Sequence, residues 1–186
     1  MSSKDSTRSS SAKKGLLPAP TRPLNEFEQQ IYGIAQHFST KTDGPDRWNI
    51  DIPALALTFD SASLTPQPTM SFTMTIARRH CNLFGNLHGG CAATLFDALS
   101  SMILLPLSKP GVFQMGGVSR HLDVTYLRPV PAGSTVKLKT TVVSMGKRLA
   151  LLRCEIVKVG ENGEEGDVCM VCDHEKANSD PEVKKL

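Results

Sequence analysis

Residues 82–105, reading NLFGNLHGGCAATLFDALSSMILL, constrain this chain more than any other stretch. From the Gly89-Gly90 pair onward the pattern predicts one helix, opened by the glycines and stopped by Pro106. It is apolar on most sides, so it belongs inside a domain and something must wrap around it. One carboxylate, Asp97, interrupts it two turns in. Gly90, Ala93, Thr94, Ser100 and Ser101 stand three, four or seven residues from Asp97 and share its face, which is therefore small and polar. An acid in a buried helix is costly unless it is partnered or used.

The start of the helix is the second unusual feature. Two glycines leave the first N–H groups unshielded at the positive end of the helix dipole, a seat for a developing oxyanion. Each feature alone has a plain structural explanation: Gly-Gly permits close packing, and a mid-helix Asp can bond a neighbouring strand. Together on one helix, preceded by Asn82 and His88, they mark a candidate site.

The rest of the chain supplies the wrapping. Asn25, with Glu28 at the capping-box position, opens an amphipathic helix to about Ser39 through Phe27, Ile31, Ile34, Ala35 and Phe38. Residues 40–53 read as loop and Ala54 to Ser63 as a first strand. Thr69 to Ala77 alternates, with Met70, Phe72, Met74 and Ile76 on one face. Val118 to Leu127 alternates as well: Ser119, His121, Asp123 and Thr125 are expected on one side, and Leu122, Val124 and Tyr126 on the other. Thr135 to Val143, Leu149 to Val159 and Asp167 to Glu175 complete the strands. Asn162-Gly163 is expected to form a type I′ hairpin turn. Short turns make the later strands antiparallel. The fold class is α+β: an antiparallel sheet of five to six strands around a long central helix, with an additional N-terminal helix.

With 186 residues and a net charge of +3, the chain fits one domain with tails. Residues 1–23 hold five basic residues against Asp5 alone and few large apolar ones, so a disordered basic tail is expected there. The domain is expected over 24–177 and a frayed tail over 178–186. What remains outside the basic tail is near neutral without a basic stripe, which argues against a nucleic-acid partner. The apolar run Met102 to Leu107 is broken by Pro106, and no transmembrane segment is expected. Five cysteines without a secretory pattern point to free thiols in a reducing compartment. A cytoplasmic location is expected. The alternative is mitochondrial, from the basic, Ser-rich start, although the amphipathic pattern of a presequence is missing. Cys169 and Cys172 lie on one strand, on opposite faces, and read as core. No metal is expected, since no histidine pair has ligand spacing. His121 and His174, on strands, read as structural or exposed.

The element order, with N-x5-HGG-x6-D at the head of the central helix, resembles the hotdog-fold acyl-CoA thioesterases. The resemblance is to the branch holding the phenylacetate-pathway enzymes and the small mitochondria-associated acyl-CoA thioesterase. It covers roughly residues 65–177, with echoes in Val118-Ser119, in Val124-Thr125-Tyr126-Leu127-Arg128-Pro129 and in Gly146-Lys147-Arg148-Leu149-Ala150. It implies that Asp97 is general base or nucleophile and that the Gly89 N–H meets the thioester oxygen. Asn82 would bind substrate or position water, His88 would support that loop, and Ser119 would hold the attacking water. Thr94 and Ser101 are weaker members. An apolar acyl group would be met by Leu83, Phe84, Phe96 and Met102, and CoA phosphates by Arg128, Lys147 and Arg148. No cofactor is implied, because a thioester needs only an oxyanion donor and an activated water. The implied partners are the acyl-CoA substrate and a second copy of the chain, as a dimer or dimer of dimers with shared sites.

Other functions fit the same fold. Hydrolysis of a carrier-protein-bound polyketide or acyl chain would use the same groups. Hotdog dehydratases and hydratases use a His with a carboxylate, and here His88 and Asp97 stand nine residues apart on one helix. A non-catalytic acyl-binding protein would not require Asn82, Gly89, Asp97 and Ser119 together.

Overall fold

The structure is a computed structural model and describes residues 17–40 and 55–182. Its elements are α1 (Glu26–Thr40), β1 (Thr58–Ser63), β2 (Thr69–Thr75), α2 (Gly89–Ser101), a single turn α3 (Leu104–Leu107), β3 (Val118–Tyr126), β4 (Thr135–Met145), β5 (Leu149–Val159) and β6 (Glu165–Ala177). The six strands form one sheet in the order β1-β2-β4-β5-β6-β3, and every neighbouring pair is antiparallel. Helix α2 lies across β3, β5 and β6. This is the α+β architecture that the buried helix demanded.

The core joins the apolar face of α2 (Ala92, Leu95, Phe96, Leu99) to the inward residues of the sheet, among them Phe72, Ile76, Val136, Leu152 and Ile156. Truncating a buried leucine such as Leu95 to alanine costs about 2–5 kcal/mol in cores of this kind. Met70, Phe72, Met74 and Ile76 are buried, as their alternation predicts. Cys169 and Cys172 both lie in the core, and all five cysteines are free thiols.

The capping box of α1 is formed. Asn25 Oδ1 accepts from the Glu28 N–H at 2.9 Å, and Glu28 accepts from the Asn25 N–H at 3.0 Å. Glu28 is buried and also receives Arg22 and the Ala62 N–H, tying α1 to β1. Those donors, Arg22 foremost, hold its carboxyl down to about 2.

The central helix ends earlier than expected, at Ser101. The Pro106 ring would collide with the Met102 carbonyl in a continuous helix. The chain instead tightens through Met102 N–H to Leu99 O (3.1 Å) and Leu105 N–H to Met102 O (3.3 Å). Pro106 then sits in the first turn of α3, where no N–H is required. Taken together, Gly89–Leu107 spans 19 residues of mean hydropathy 1.6, long and apolar enough to cross a membrane. In this fold the stretch forms the central helix and the α3 turn under the sheet, packed into the core.

Other boundaries also moved. Ala56 has a φ of 51°, so β1 begins only at Thr58. The β5–β6 connection is a type I turn closed by Gly163 N–H to Gly160 O, followed by Gly163 at φ 84°. It replaces the expected type I′ turn, because Asn162 keeps a negative φ. The basic tail was expected to run to residue 23. Residues 1–16 lie outside the described residues, but Leu17 is buried and Arg22 pairs with Glu28. Fraying from 178 was also expected. Asn178 and Asp180 instead accept from the N–H groups of Phe113, Gln114 and Met115, fastening the loop before β3. Residues 41–53 of the expected loop, Ala54 at the expected start of the first strand, and 183–186 lie outside the described residues.

Candidate active site

Three elements meet at Asp97. Helix α2 carries the acid, β3 supplies Ser119, and β6 supplies His174 and Lys176. The Ser119 hydroxyl donates to Asp97 Oδ1 at 2.5 Å. His174 Nε2 lies 2.8 Å from Ser119 Oγ and 3.3 Å from Asp97 Oδ1. The Lys176 ammonium donates to Ser101 Oγ at 2.9 Å and to Ser119 Oγ at 3.2 Å, while Ser101 donates to the Asp97 carbonyl. Behind them, Ser100 Oγ is 2.7 Å from His174 Nδ1.

Exposure sorts these groups. His174 and Lys176 are buried, whereas the Asp97 side chain is 50% exposed. The acid was expected inside the helix packing; it opens to solvent because its face of α2 carries only small residues. Burial, with Lys176 nearby, pushes His174 down to about 4, against the opposing pull of Asp97. The ring is therefore neutral near pH 7. Burial also lowers Lys176, and Asp97 opposes that shift.

A bulge in β3 makes this cluster possible. Ser119 pairs with Lys176 and His121 with Glu175, so Arg120 is an extra residue between them. Strict alternation had put Ser119 beside His121, Asp123 and Thr125. The bulge turns it to the helix side with Leu122, Val124 and Tyr126, where it reaches Asp97.

The second cluster forms at the start of α2. His88 is the N-cap, and its Nδ1 accepts from the Gly90 N–H at 3.0 Å. That leaves the Gly89 N–H, which has no hydrogen-bond partner among the described residues. Only one of the two expected unshielded donors is therefore available. Asn82 Oδ1 accepts from the Phe84 and Asn86 N–H groups at 3.0 and 3.2 Å, fixing the turn and leaving its amide NH2 to donate. Asn82, Gly89, Tyr126, Arg128 and Met170 line a cleft of about 370 Å³.

Some expected site residues lie elsewhere. Phe96 and Met102 are core residues, exposed by only 2% and 3%, so neither lines an open acyl site. The helical period turns Phe96 about 100° away from Asp97, off the polar face. Leu83 and Phe84 project from the tip of the Asn82 turn and are almost fully exposed. Arg128 is at the Gly89 cleft, bonded to the Val168 carbonyl at 2.9 Å. Lys147 and Arg148 are exposed on the β4–β5 turn, at the other end of β6. Thr94 bonds its own helix at Gly90 O. His174 and Lys176 were missed, because the last strand was ended at Glu175 and nothing in its pattern marks a strand histidine as a neighbour of Asp97.

A model of the thioesterase superfamily matches residues 84–164, from the Asn82 turn through α2 to the β5–β6 loop. Over that stretch the chain is similar to the thioesterase superfamily. Human acyl-coenzyme A thioesterase 13 is 34% identical over 83 residues, which cover 45% of this chain and 56% of the relative. The chain thus spans about half the length of such curated relatives. Among solved structures, mouse thioesterase superfamily member 2 matches at 28% identity and a TM-score of 0.55, covering 68% of this chain and 85% of that one. Its zebra fish counterpart matches at 25% identity and a TM-score of 0.60, over 86% and 100%.

Within the domain the two clusters sit at opposite ends of one helix face. Gly89 and Asp97 are eight residues apart, about 12 Å at the standard rise. Strand β3 runs alongside, with Tyr126 bonded to Gly89 and Ser119 bonded to Asp97. A carboxylate and an oxyanion donor serving one carbonyl must both approach within about 3 Å of the reacting atoms. One chain alone does not bring them together.

Proposed function

We propose that the protein hydrolyses the thioester of an apolar acyl-CoA, fatty or aromatic, to the free acid and CoA. One observation carries this reading: a half-exposed carboxylate fixed by Ser119 shares a helix with an uncommitted N–H at Gly89. Asp97 takes a proton from water as the oxygen attacks the thioester carbonyl. The oxyanion that forms is received by the Gly89 N–H at the positive helix end, with the Asn82 amide as a second donor. Collapse breaks the C–S bond, and the proton held by Asp97 passes to the departing thiolate.

The 12 Å separation within one chain supports a homodimer with two shared sites, each taking Asp97 from one chain and Gly89 from the other. Strand β3 supports the same assembly. It ends the sheet with an unpaired edge nine residues long, and Val118, Tyr126 and Leu127 are each at least half exposed there. A two-fold axis near Leu122 would bring each Gly89 toward the other chain's Asp97. Further pairing into a tetramer is compatible with this arrangement. Leu83 and Phe84, exposed beside the cleft, supply apolar surface for the acyl group, and Arg128 a charge for CoA phosphate. Five free thiols fit a reducing compartment, the cytoplasm or the mitochondrial interior.

Dehydratase chemistry fits less well. His174 stands beside Asp97 but is buried behind it, and His88 spends Nδ1 on the helix cap. The test is thiol release from a panel of fatty and aromatic acyl-CoAs and acyl carrier proteins, with enoyl absorbance followed in parallel. Hydrolysis of apolar acyl-CoAs is expected. Absence of thiol release across the panel would overturn the reading.

A further inference from the structure

The hydrogen-bonding capacity of the Ser119 hydroxyl is fully used, and the group that completes it is a buried lysine. A hydroxyl donates once and accepts twice. Ser119 Oγ has three partners: Asp97 Oδ1, His174 Nε2 and Lys176 Nζ. The ammonium can only donate and the carboxylate can only accept, so the serine hydrogen must go to Asp97. The lone pair left over then accepts from His174, which must carry its proton on Nε2. Its Nδ1 is thus the acceptor for Ser100. Ser101 fits the same order, donating to the Asp97 carbonyl and accepting from Lys176.

We infer that Lys176 is a positioning residue for the Asp97 base, acting through Ser119. By filling the serine oxygen it leaves the hydroxyl hydrogen one direction, onto Asp97 Oδ1. Oδ2, which takes no hydrogen bond among the described residues, is then the atom that receives the proton from water. Ser119 has no capacity left to hold that water itself. The inference rests on the reading of Asp97 as the base.

An ammonium taken out of water is costly unless it is paired, so its place in the fold calls for a reason. The charged and titratable groups facing Lys176 are Asp97 on α2 and His174 on β6. Strand β3 presents Ser119, and β5 presents the apolar Ala150 and Leu152 opposite Lys176 and His174. Asp97 opposes the lowering that burial imposes on Lys176, while His174 remains neutral near pH 7.

The full-length wild-type protein gives the first test and needs no variant. Nitrogen-15 NMR across roughly pH 5.5–8 should show the His174 ring neutral with its proton on Nε2; a proton on Nδ1 would overturn the proposal. Lys176→Met should then raise the His174 pKa, because the opposing charge is gone, and an unmoved titration would overturn it. In turnover, Lys176→Met should lower kcat roughly 10- to 100-fold with little change in KM, and Lys176→Arg should restore part of the loss. The double variant Ser119→Ala/Lys176→Met should be no slower than Ser119→Ala alone, whereas multiplicative losses would mean that Lys176 acts by another route. If wild type hydrolyses no acyl-CoA, the proposed function falls, while the two NMR measurements still decide the arrangement.

Discussion

Tyr126 donates its hydroxyl hydrogen to the Gly89 carbonyl at 2.9 Å, and its ring occupies the space beside Gly89 where a side chain would go. A Cβ built on Gly89 would lie 3.2 Å from both the ring and the hydroxyl oxygen. Close approach, rather than an unusual backbone angle, is what favours glycine here. Gly89→Ala keeps the N–H but crowds Tyr126, and a several-fold loss of turnover is expected. Gly89→Pro also removes the proposed donor at a position where helices accept proline, so a loss of roughly 100-fold or more is expected. Steady-state kinetics on variants shown to be folded by circular dichroism make the comparison. Equal losses would assign Gly89 to packing alone.

Asp97→Asn keeps the shape of the side chain and an acceptor for Ser119 but removes the proposed base. A folded protein with turnover reduced roughly 100-fold or more is expected. Near-wild-type hydrolysis by this variant would remove Asp97 from the mechanism.

Shared sites predict complementation between two inactive proteins. Asp97→Asn chains and Gly89→Pro chains, mixed under conditions of subunit exchange, should regain activity, because each heterodimer holds one site with both groups intact. Exchange demonstrated by mass spectrometry without recovered hydrolysis would refute the two-chain site.

His174 also gives the fold a pH signature. Its folded pKa, about 4, lies below the unfolded value of 6.5. Between those values the unfolded chain binds more protons, so stability is complete above about pH 6.5 and declines as pH falls toward 4, by on the order of 3 kcal/mol. Glu28 is also depressed, from 4.5 to about 2, so its contribution is lost in a lower window. Denaturant unfolding at a series of pH values should therefore show two separable losses. His174→Gln should flatten the upper one and leave the lower one in place.

What was legible in the sequence was periodic or local. The period of α2 announced a buried helix with Asp97 on its polar face, the glycine pair announced its start, and the capping box of α1 could be read from Asn25 and Glu28 alone. Strand alternation gave the faces of β2 correctly. Ser119 was found as a residue but assigned to the wrong face, since alternation presumes one residue per step and Arg120 breaks that count. His174 and Lys176 were not legible because their roles arise from β6 pairing with β3, a contact between residues about 55 positions apart. Phe96 was misread because its nearness to Asp97 in sequence is not nearness on a helix.

The bulge has a consequence for how β3 tolerates change in length. In a pleated strand each residue lost or gained reverses every side chain between that point and the nearest turn. Position 120 is the exception, since it holds the surplus residue and its neighbours already pair with consecutive partners on β6. Deleting Arg120 would straighten the strand and leave Ser119 facing α2. A deletion elsewhere in the strand that kept the bulge would instead move the serine to the opposite face.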